Sequence, residues 1–435
     1  MSENYGQYQQ SIYSNGMFSN GRQVVTTDPR QLEEQARKAL SLQSYSYIAG
    51  GAGEKATMDS NRLAFRQWKL QDTEDVEDEV DTSIELFGEQ YPHPILMAPI
   101  GVQALAHRDK ETGLAGACAE VDVPYILSTA SGSTFEDVAA SCGDGKRWYQ
   151  LYWPSDNDVT ISLLKRAKAN GFTALVVTLD TWTLAWRPAD LDTGYLPFLA
   201  GIGTEFGLTD PVFRAKFEAE TGSKVEDEPL GAARAWLQGI FGANHKWEDV
   251  AFLRKNWDGP LILKGIQDVD DAKTALKYGC DGIVVSNHGG RQLDGAIGSL
   301  EVLPEIVDAV GKDMTVLFDS GIRTGSDIVK AIALGAKAVL VGRPVMYGYG
   351  INGKEGAKEV LQGLLADFYL NGWKVQPFTF VHHIGSRWGG YFAAEVEESA
   401  VNKNRNQILH GLEQLSEEEQ LDVLGNDHPN FKYTL

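Results

Sequence analysis

The chain has 435 residues, enough for one large domain or two or three smaller ones, and its 43% hydrophobic and 23% charged content is that of an ordinary globular protein. A formal net charge of −21 argues against nucleic acid or an anionic membrane surface as the main partner. No apolar run reaches the roughly 18 residues that a membrane-spanning helix requires.

From the N-terminus, residues 1–20 are polar and lack both a basic stretch and an apolar stretch, so no secretory signal is expected. A helix is expected from about Pro29 to Ile48, within an N-terminal extension covering residues 1–90. Short β-branched runs then recur: ILMA at 95–98, YIL at 125–127, RWYQ at 147–150 and ALVVT at 174–178. After a long interval come LILK at 261–264, GIVVS at 282–286, TVLF at 315–318 and AVLV at 338–341. Runs without polar alternation suit strands buried on both faces, as in parallel sheets.

Helical spacing of apolar residues fills the intervals at 111–121, 159–170, 268–278, 300–310 and 325–334. Gly171, Gly279, Gly311 and Gly335 stand where helices end. Eight strands alternating with helices indicate a TIM (β/α)8 barrel over 91–372 rather than an open doubly wound sheet, because no GxGxxG turn follows the first strand. The interval at about 187–246 is read as a long loop, a lid, between the fourth and fifth strands. Beyond residue 372 the pattern lapses into a tail, 373–435, with an acidic helical stretch at 415–424. Cys118, Cys142 and Cys280 form no CxxC pair and no metal spacing, which suits reduced thiols and a cytoplasmic setting.

In such a barrel the chemistry gathers at the C-terminal ends of the strands. Those ends carry Pro99, then Ser128, then Gln150 and Tyr152, then Thr178 and Asp180. The later four carry Lys264; Ser286, His288 and Arg291; Asp319, Ser320, Gly321 and Arg323; and Gly342 with Arg343. Taken singly, Lys264 is also readable as a solvated strand end, Asp180 as a turn cap and His288 as a turn histidine. Glycine and arginine after strands seven and eight suit a phosphate. A strongly acidic chain that concentrates its cations at one mouth is equipped to bind an anion there.

The run SNHGGRQLD at 286–294 resembles the signature of the FMN-dependent L-2-hydroxy acid dehydrogenase/oxidase family. Further matches extend from about Tyr45 to Gly372: YIAGGA at 47–52, QLY at 150–152, TLD at 178–180, LKG at 263–265, DSGIR at 319–323 and GRP at 342–344. The resemblance implies FMN as cofactor and a set of roles. His288 removes a proton from substrate, and Asp180 pairs with the imidazolium. Arg291 and Tyr47 hold the substrate carboxylate, Tyr152 contacts the 2-hydroxyl, and Arg187 lies near the mouth. Lys264 faces flavin N1 and O2. Ser128, Gln150 and Thr178, with backbone at Pro99, Ile100 and Gly101, meet the isoalloxazine edge. Ser286 lies beside them, Asp319 takes the ribityl hydroxyls, and Ser320, Gly321, Arg323, Gly342 and Arg343 surround the phosphate end.

Within the family, a small residue at Ala130 matches lactate-acting members, and the runs at 179–191, 195–199 and 210–214 are most similar to lactate 2-monooxygenase. That implies L-lactate and O2 as partners, giving acetate, CO2 and water, in a homo-oligomer that is a tetramer by analogy. The alternatives are an oxidase releasing peroxide and a 2-oxo acid, a dehydrogenase with another acceptor, and a phosphate-binding barrel without flavin. The segment 187–246 is acidic where a membrane-binding loop would be apolar or basic, and no membrane partner is expected. Ser320 stands where many members carry glycine.

Overall fold

Strands that are apolar on both faces need cover on both, and a closed barrel wrapped in helices provides it. The computed structural model describes residues 6–19, 21–70, 81–373 and 380–382. Its centre is a closed, eight-stranded parallel barrel in chain order: β1 (Ile95–Met97), β2 (Tyr125–Ser128), β3 (Arg147–Leu151), β4 (Leu175–Thr178), β5 (Leu261–Ile266), β6 (Gly282–Val285), β7 (Thr315–Phe318) and β8 (Ala338–Val341), with β8 pairing back onto β1. Every strand expected from the sequence is present. Leu96, Ile126, Trp148, Val176, Ile262, Val284, Leu317 and Leu340 fill the barrel interior. Their chain neighbours, such as Met97, Leu127, Tyr149, Val177, Leu263 and Val285, pack outward under the helices.

The outer layer comprises α1 (Lys110–Glu120), α2 (Phe135–Cys142), α3 (Asn157–Ala169), α4 (Val250–Asn256), α5 (Val269–Lys277), α6 (Ser299–Val310), α7 (Gly325–Ala333) and α8 (Arg343–Trp373), the last kinked at Asn352 and Gly353. The five helices expected between strands lie within two residues of their sequence bounds. Gly171, Gly279 and Gly335 follow their helices with φ of 72°, 75° and 100°, as left-handed terminators do. Gly311 does not; its φ is −66°.

Three segments differ from the sequence reading. The helix expected from Pro29 to Ile48 is two helices, Pro29–Ala39 and Leu42–Ala49, because Leu40 is extended and the Ser41 side chain caps a new start by accepting from Ser44 N. Next, the hairpin Ile84–Leu86/Glu89–Tyr91 closes the N-terminal end of the barrel, with Phe87 and Tyr91 edge-on to Trp148 at 5.9 and 6.3 Å. Finally, the interval 187–246 is not a loop. It folds as short helices, Pro188–Thr193, Pro197–Ala200, Glu205–Thr209, Pro211–Thr221 and Pro229–Ile240, four of which open on proline. Phe206 and Trp236 are fully buried within it, and Phe206 stacks on Phe135 of α2 at 4.1 Å.

Beyond α8, a short strand, Phe380–His382, pairs antiparallel with Trp68–Leu70. The acidic stretch at 415–424 lies outside the described residues. No helix among the described residues is long and apolar enough to cross a membrane.

Trp148 is 1% exposed and is the largest side chain inside the barrel. Trp148→Ala is expected to destabilise the fold by about 3–5 kcal/mol, because the hairpin plug loses the ring it packs against. Urea unfolding followed by circular dichroism measures the loss.

Candidate active site

Alternation along a strand puts residue i+2 on the same face as residue i. Stepping two residues on from each interior residue gives Ala98, Ser128, Gln150, Thr178, Lys264, Ser286, Asp319 and Gly342, a layer capping the apolar interior at the strands' C-terminal ends. Lys264 organises it. Its Nζ donates to Ser286 Oγ at 2.8 Å and ion-pairs with Asp319 Oδ2 at 3.1 Å, with Asp180 Oδ2 at 3.8 Å. Burial opposes the charge on Lys264, but Asp319 and Asp180 hold its pKa above the ordinary value.

Across from Lys264, His288 Nδ1 lies 2.6 Å from Asp180 Oδ1. Burial works to raise the Asp180 pKa, yet His288 and Lys264 together bring it down to about 2. Asp180 is therefore a carboxylate acceptor and Nδ1 carries the ring proton, which leaves Nε2 with its lone pair. Thr181, a residue the sequence reading passed over, donates from Oγ1 to Asp180 Oδ1 at 2.8 Å. Burial lowers the His288 pKa, partly countered by Asp180, so the ring is neutral near pH 7.

Above this layer opens a cleft with a cavity volume of about 150 Å³, continuous with solvent at its mouth. Tyr47, Pro99, Ile100, Gly101, Tyr152, Arg187, Lys264, His288, Arg291, Asp319, Ser320, Gly321, Arg323, Gly342 and Arg343 all line it. Asp180 stands behind His288. Ser128, Gln150, Thr178 and Ser286 are buried in the layer beneath. One flank is apolar, formed by Val102, Ala130, Leu184, Phe198 and Phe241. Phe198 and Phe241 come from the helical insertion. Only their setting beside proline and glycine distinguished them in the sequence.

The cations of the cleft are unusually bare. Arg291 donates from Nη1 to the carbonyls of Tyr47 and Gly50, at 2.7 and 2.9 Å, and its guanidinium lies 5.1 Å from the Tyr47 ring centroid. Arg343 donates to the carbonyls of Ile48, Gly289 and Gly50. Among the described residues, the Arg323 side chain reaches only its neighbour's carbonyl, that of Ile322. None of the three has a carboxylate ion pair among the described residues. Burial consequently lowers all three, Arg291 to about 10 and Arg343 to about 9. Arg187, by contrast, is tied down by Arg291 O, Gln292 Oε1 and, at 3.9 Å, Asp190.

FMN, implied by the sequence, suits these groups on three counts. Gln150 Nε2 is buried with no partner among the described residues, an unused donor beneath the cleft floor. Arg323 and Arg343 gather at the starts of α7 and α8, where the positive ends of the helix dipoles add to the potential for a phosphate. Lys264 supplies a further cation on the cleft floor.

The comparisons with known proteins agree. The family model described as FMN-dependent dehydrogenase matches residues 36–371. An FMN-dependent alpha-hydroxy acid dehydrogenase of Penicillium citrinum is 61% identical, over 84% of this chain and 91% of that protein. An L-lactate oxidase of Lysinibacillus sphaericus is 39% identical, over 77% of this chain and 85% of that protein. Among solved structures, mandelate oxidase superposes with a TM-score of 0.69 at 35% identity, covering 80% of this chain and 94% of that one. The chain belongs to the FMN-dependent alpha-hydroxy acid dehydrogenase/oxidase family and is an FMN-dependent oxidoreductase with a TIM-barrel fold.

Proposed function

We propose that this enzyme oxidises a small L-2-hydroxy acid with an apolar C2 substituent, L-lactate with O2 as acceptor, and delivers acetate, CO2 and water in the manner of lactate 2-monooxygenase. The observation that carries the reading is the apolar flank of Ala130, Phe198 and Phe241 set beside His288 and Arg291. A methyl group fits such a wall at no cost in desolvated polar groups, whereas a carboxymethyl or hydroxymethyl group would lose its hydrogen bonds there.

In this reading Arg291 binds the substrate carboxylate with the edge that Tyr47 O and Gly50 O leave free, and Tyr47 adds a further donor. Tyr152, whose phenol burial keeps protonated, meets the 2-hydroxyl as it becomes a carbonyl. His288 accepts a substrate proton at Nε2, and Asp180 and Thr181 fix the ring and balance the new charge. FMN, when bound, takes up the two electrons. Lys264, held by Asp319 and Ser286, would supply fixed positive charge to the reduced cofactor. Phe198 and Phe241 exclude water from the reacting carbon while pyruvate stays in place.

The insertion acts as the lid through these two aromatics. Glu205–Thr209 and Pro211–Thr221 are unsuited to movement, because Phe206 is bolted to Phe135 and a Cβ on Gly207 would strike the Trp236 ring at 2.4 Å. The test follows product fate under air. The wild type is expected to yield acetate from L-lactate with little peroxide; stoichiometric peroxide and pyruvate would make it a plain oxidase instead. Phe241→Ala should shift products toward peroxide and pyruvate while anaerobic bleaching of the flavin by L-lactate persists.

Arg291→Lys replaces a planar fork with a point charge and is expected to weaken substrate binding by about 1.5–3 kcal/mol. The KM for L-lactate and the affinity for oxalate report it together.

The pH dependence has a definite sign. His288 sits below its ordinary 6.5 because burial disfavours the imidazolium, so the unfolded chain binds this proton first as pH falls. Stability from this residue is therefore lost below pH 6.5, and the acid limb of flavin reduction lies below 6.5 as well. Asp180→Asn removes the carboxylate that holds His288 up. The limb should move further toward acid, and the maximal rate should fall by about a hundredfold or more. Stopped-flow reduction across pH measures both.

A further inference from the structure

His288 and Ser320 both adopt left-handed backbone conformations, with φ of 57° and 85°. Side chains rarely tolerate such geometry unless neighbouring contacts over-determine it. Two serine hydroxyls supply those contacts. Ser286 Oγ accepts from His288 N at 3.1 Å, and Ser320 Oγ accepts from the next amide, Gly289 N, at 3.0 Å. Each hydroxyl is in turn anchored to the charged floor. Lys264 Nζ donates to Ser286 Oγ, and Ser320 Oγ donates to Asp319 Oδ1 at 2.8 Å. Asp319 Oδ2 completes the circuit by pairing with Lys264.

We propose that Ser320 is a positioning residue, a clasp whose hydroxyl couples the backbone of the His288 turn to the Asp319–Lys264 pair and so aims the imidazole into the cleft. It acts through His288 and, in the reading above, touches neither the reacting carbon nor the carboxylate. A glycine at this position would relieve the backbone but leave Gly289 N without its acceptor, and the turn at 288–290, already left-handed at His288, Gly289 and Gly290, would lose one of its two serine anchors, with Asn287 Oδ1 still accepting from Gly290 N. The clasp rests on the assignment of His288 as base in the proposed function.

Ser320→Ala keeps the left-handed side chain and removes the hydroxyl, whereas Ser320→Gly removes both. In FMN-loaded protein labelled at histidine, the His288 ring signal, assigned by its loss in His288→Gln, is followed across pH. The charged groups facing that ring are Asp180, Lys264 and Arg187, none of which changes. In both variants the signal should broaden and its titration midpoint rise toward the ordinary value as the ring leaves its buried seat. Flavin reduction by L-lactate should slow by about ten- to a hundredfold with KM near that of the wild type. Ser320→Gly should do this without lowering the thermal midpoint, which separates misaiming from loss of fold. A His288 titration identical to wild type in both variants overturns the clasp. If wild-type flavin is not reduced by L-lactate, the substrate reading fails, and the ring titration still decides the clasp.

Discussion

A lysine ammonium buried between two carboxylates governs the architecture of this protein's catalytic end. Placing Lys264 at 4% exposure would be prohibitive for a lone charge. Asp319 and Asp180 make it tolerable, and they do so from strands on opposite sides of β5, after β7 and β4. The ion set consequently acts as a gauge on barrel closure: the carboxylates reach the ammonium only when the strands stand in their native register. Removing one partner would leave an uncompensated charge in the floor, which costs more than the pair itself contributes.

The cleft wall follows from that floor. Asp180 accepts a hydrogen bond from His288, so the ring proton sits on Nδ1 and the other nitrogen faces the cleft. The remaining cations, Arg291, Arg323 and Arg343, are held by peptide carbonyls rather than by acids. That choice matters, because a carbonyl orients a guanidinium without neutralising it. The full charge stays on the cleft wall, and an overall acidic chain thereby keeps a cationic interior.

Much of this was legible in the sequence because parallel strands buried on both faces leave an unmistakable run of β-branched residues, and because the period of two carries each interior residue to a polar one above it. Thus Ile262 points to Lys264 and Leu317 to Asp319. What escaped was governed by tertiary contact. The Ser41 break looks like any polar residue in a helical pattern until its side chain caps Ser44. Three of the insertion's helices, at 188–193, 197–200 and 205–209, are too short for periodicity to register, although proline at Pro188, Pro197, Pro211 and Pro229 marks the starts of four of the five. Thr181 and Phe241 acquire meaning only once distant elements bring them to the cleft. Ser320 was visible as a departure from glycine, but its left-handed backbone and its bond to Gly289 were not.

The wall of the cleft also carries a constraint of time. Arg291 is seated by the carbonyls of Tyr47 and Gly50, residues 244 and 241 positions earlier in the chain. On a ribosome adding roughly 5–20 residues per second, about 12–50 s separates the synthesis of the seat from that of its occupant. During that interval the helix Leu42–Ala49 has no sixth-strand turn to dock on, and its apolar side, with Ile48 and Ala49, waits uncovered. The cationic cleft is therefore among the later features of the molecule to exist. A nascent chain carries no competent pocket for substrate or cofactor until the barrel behind it has closed.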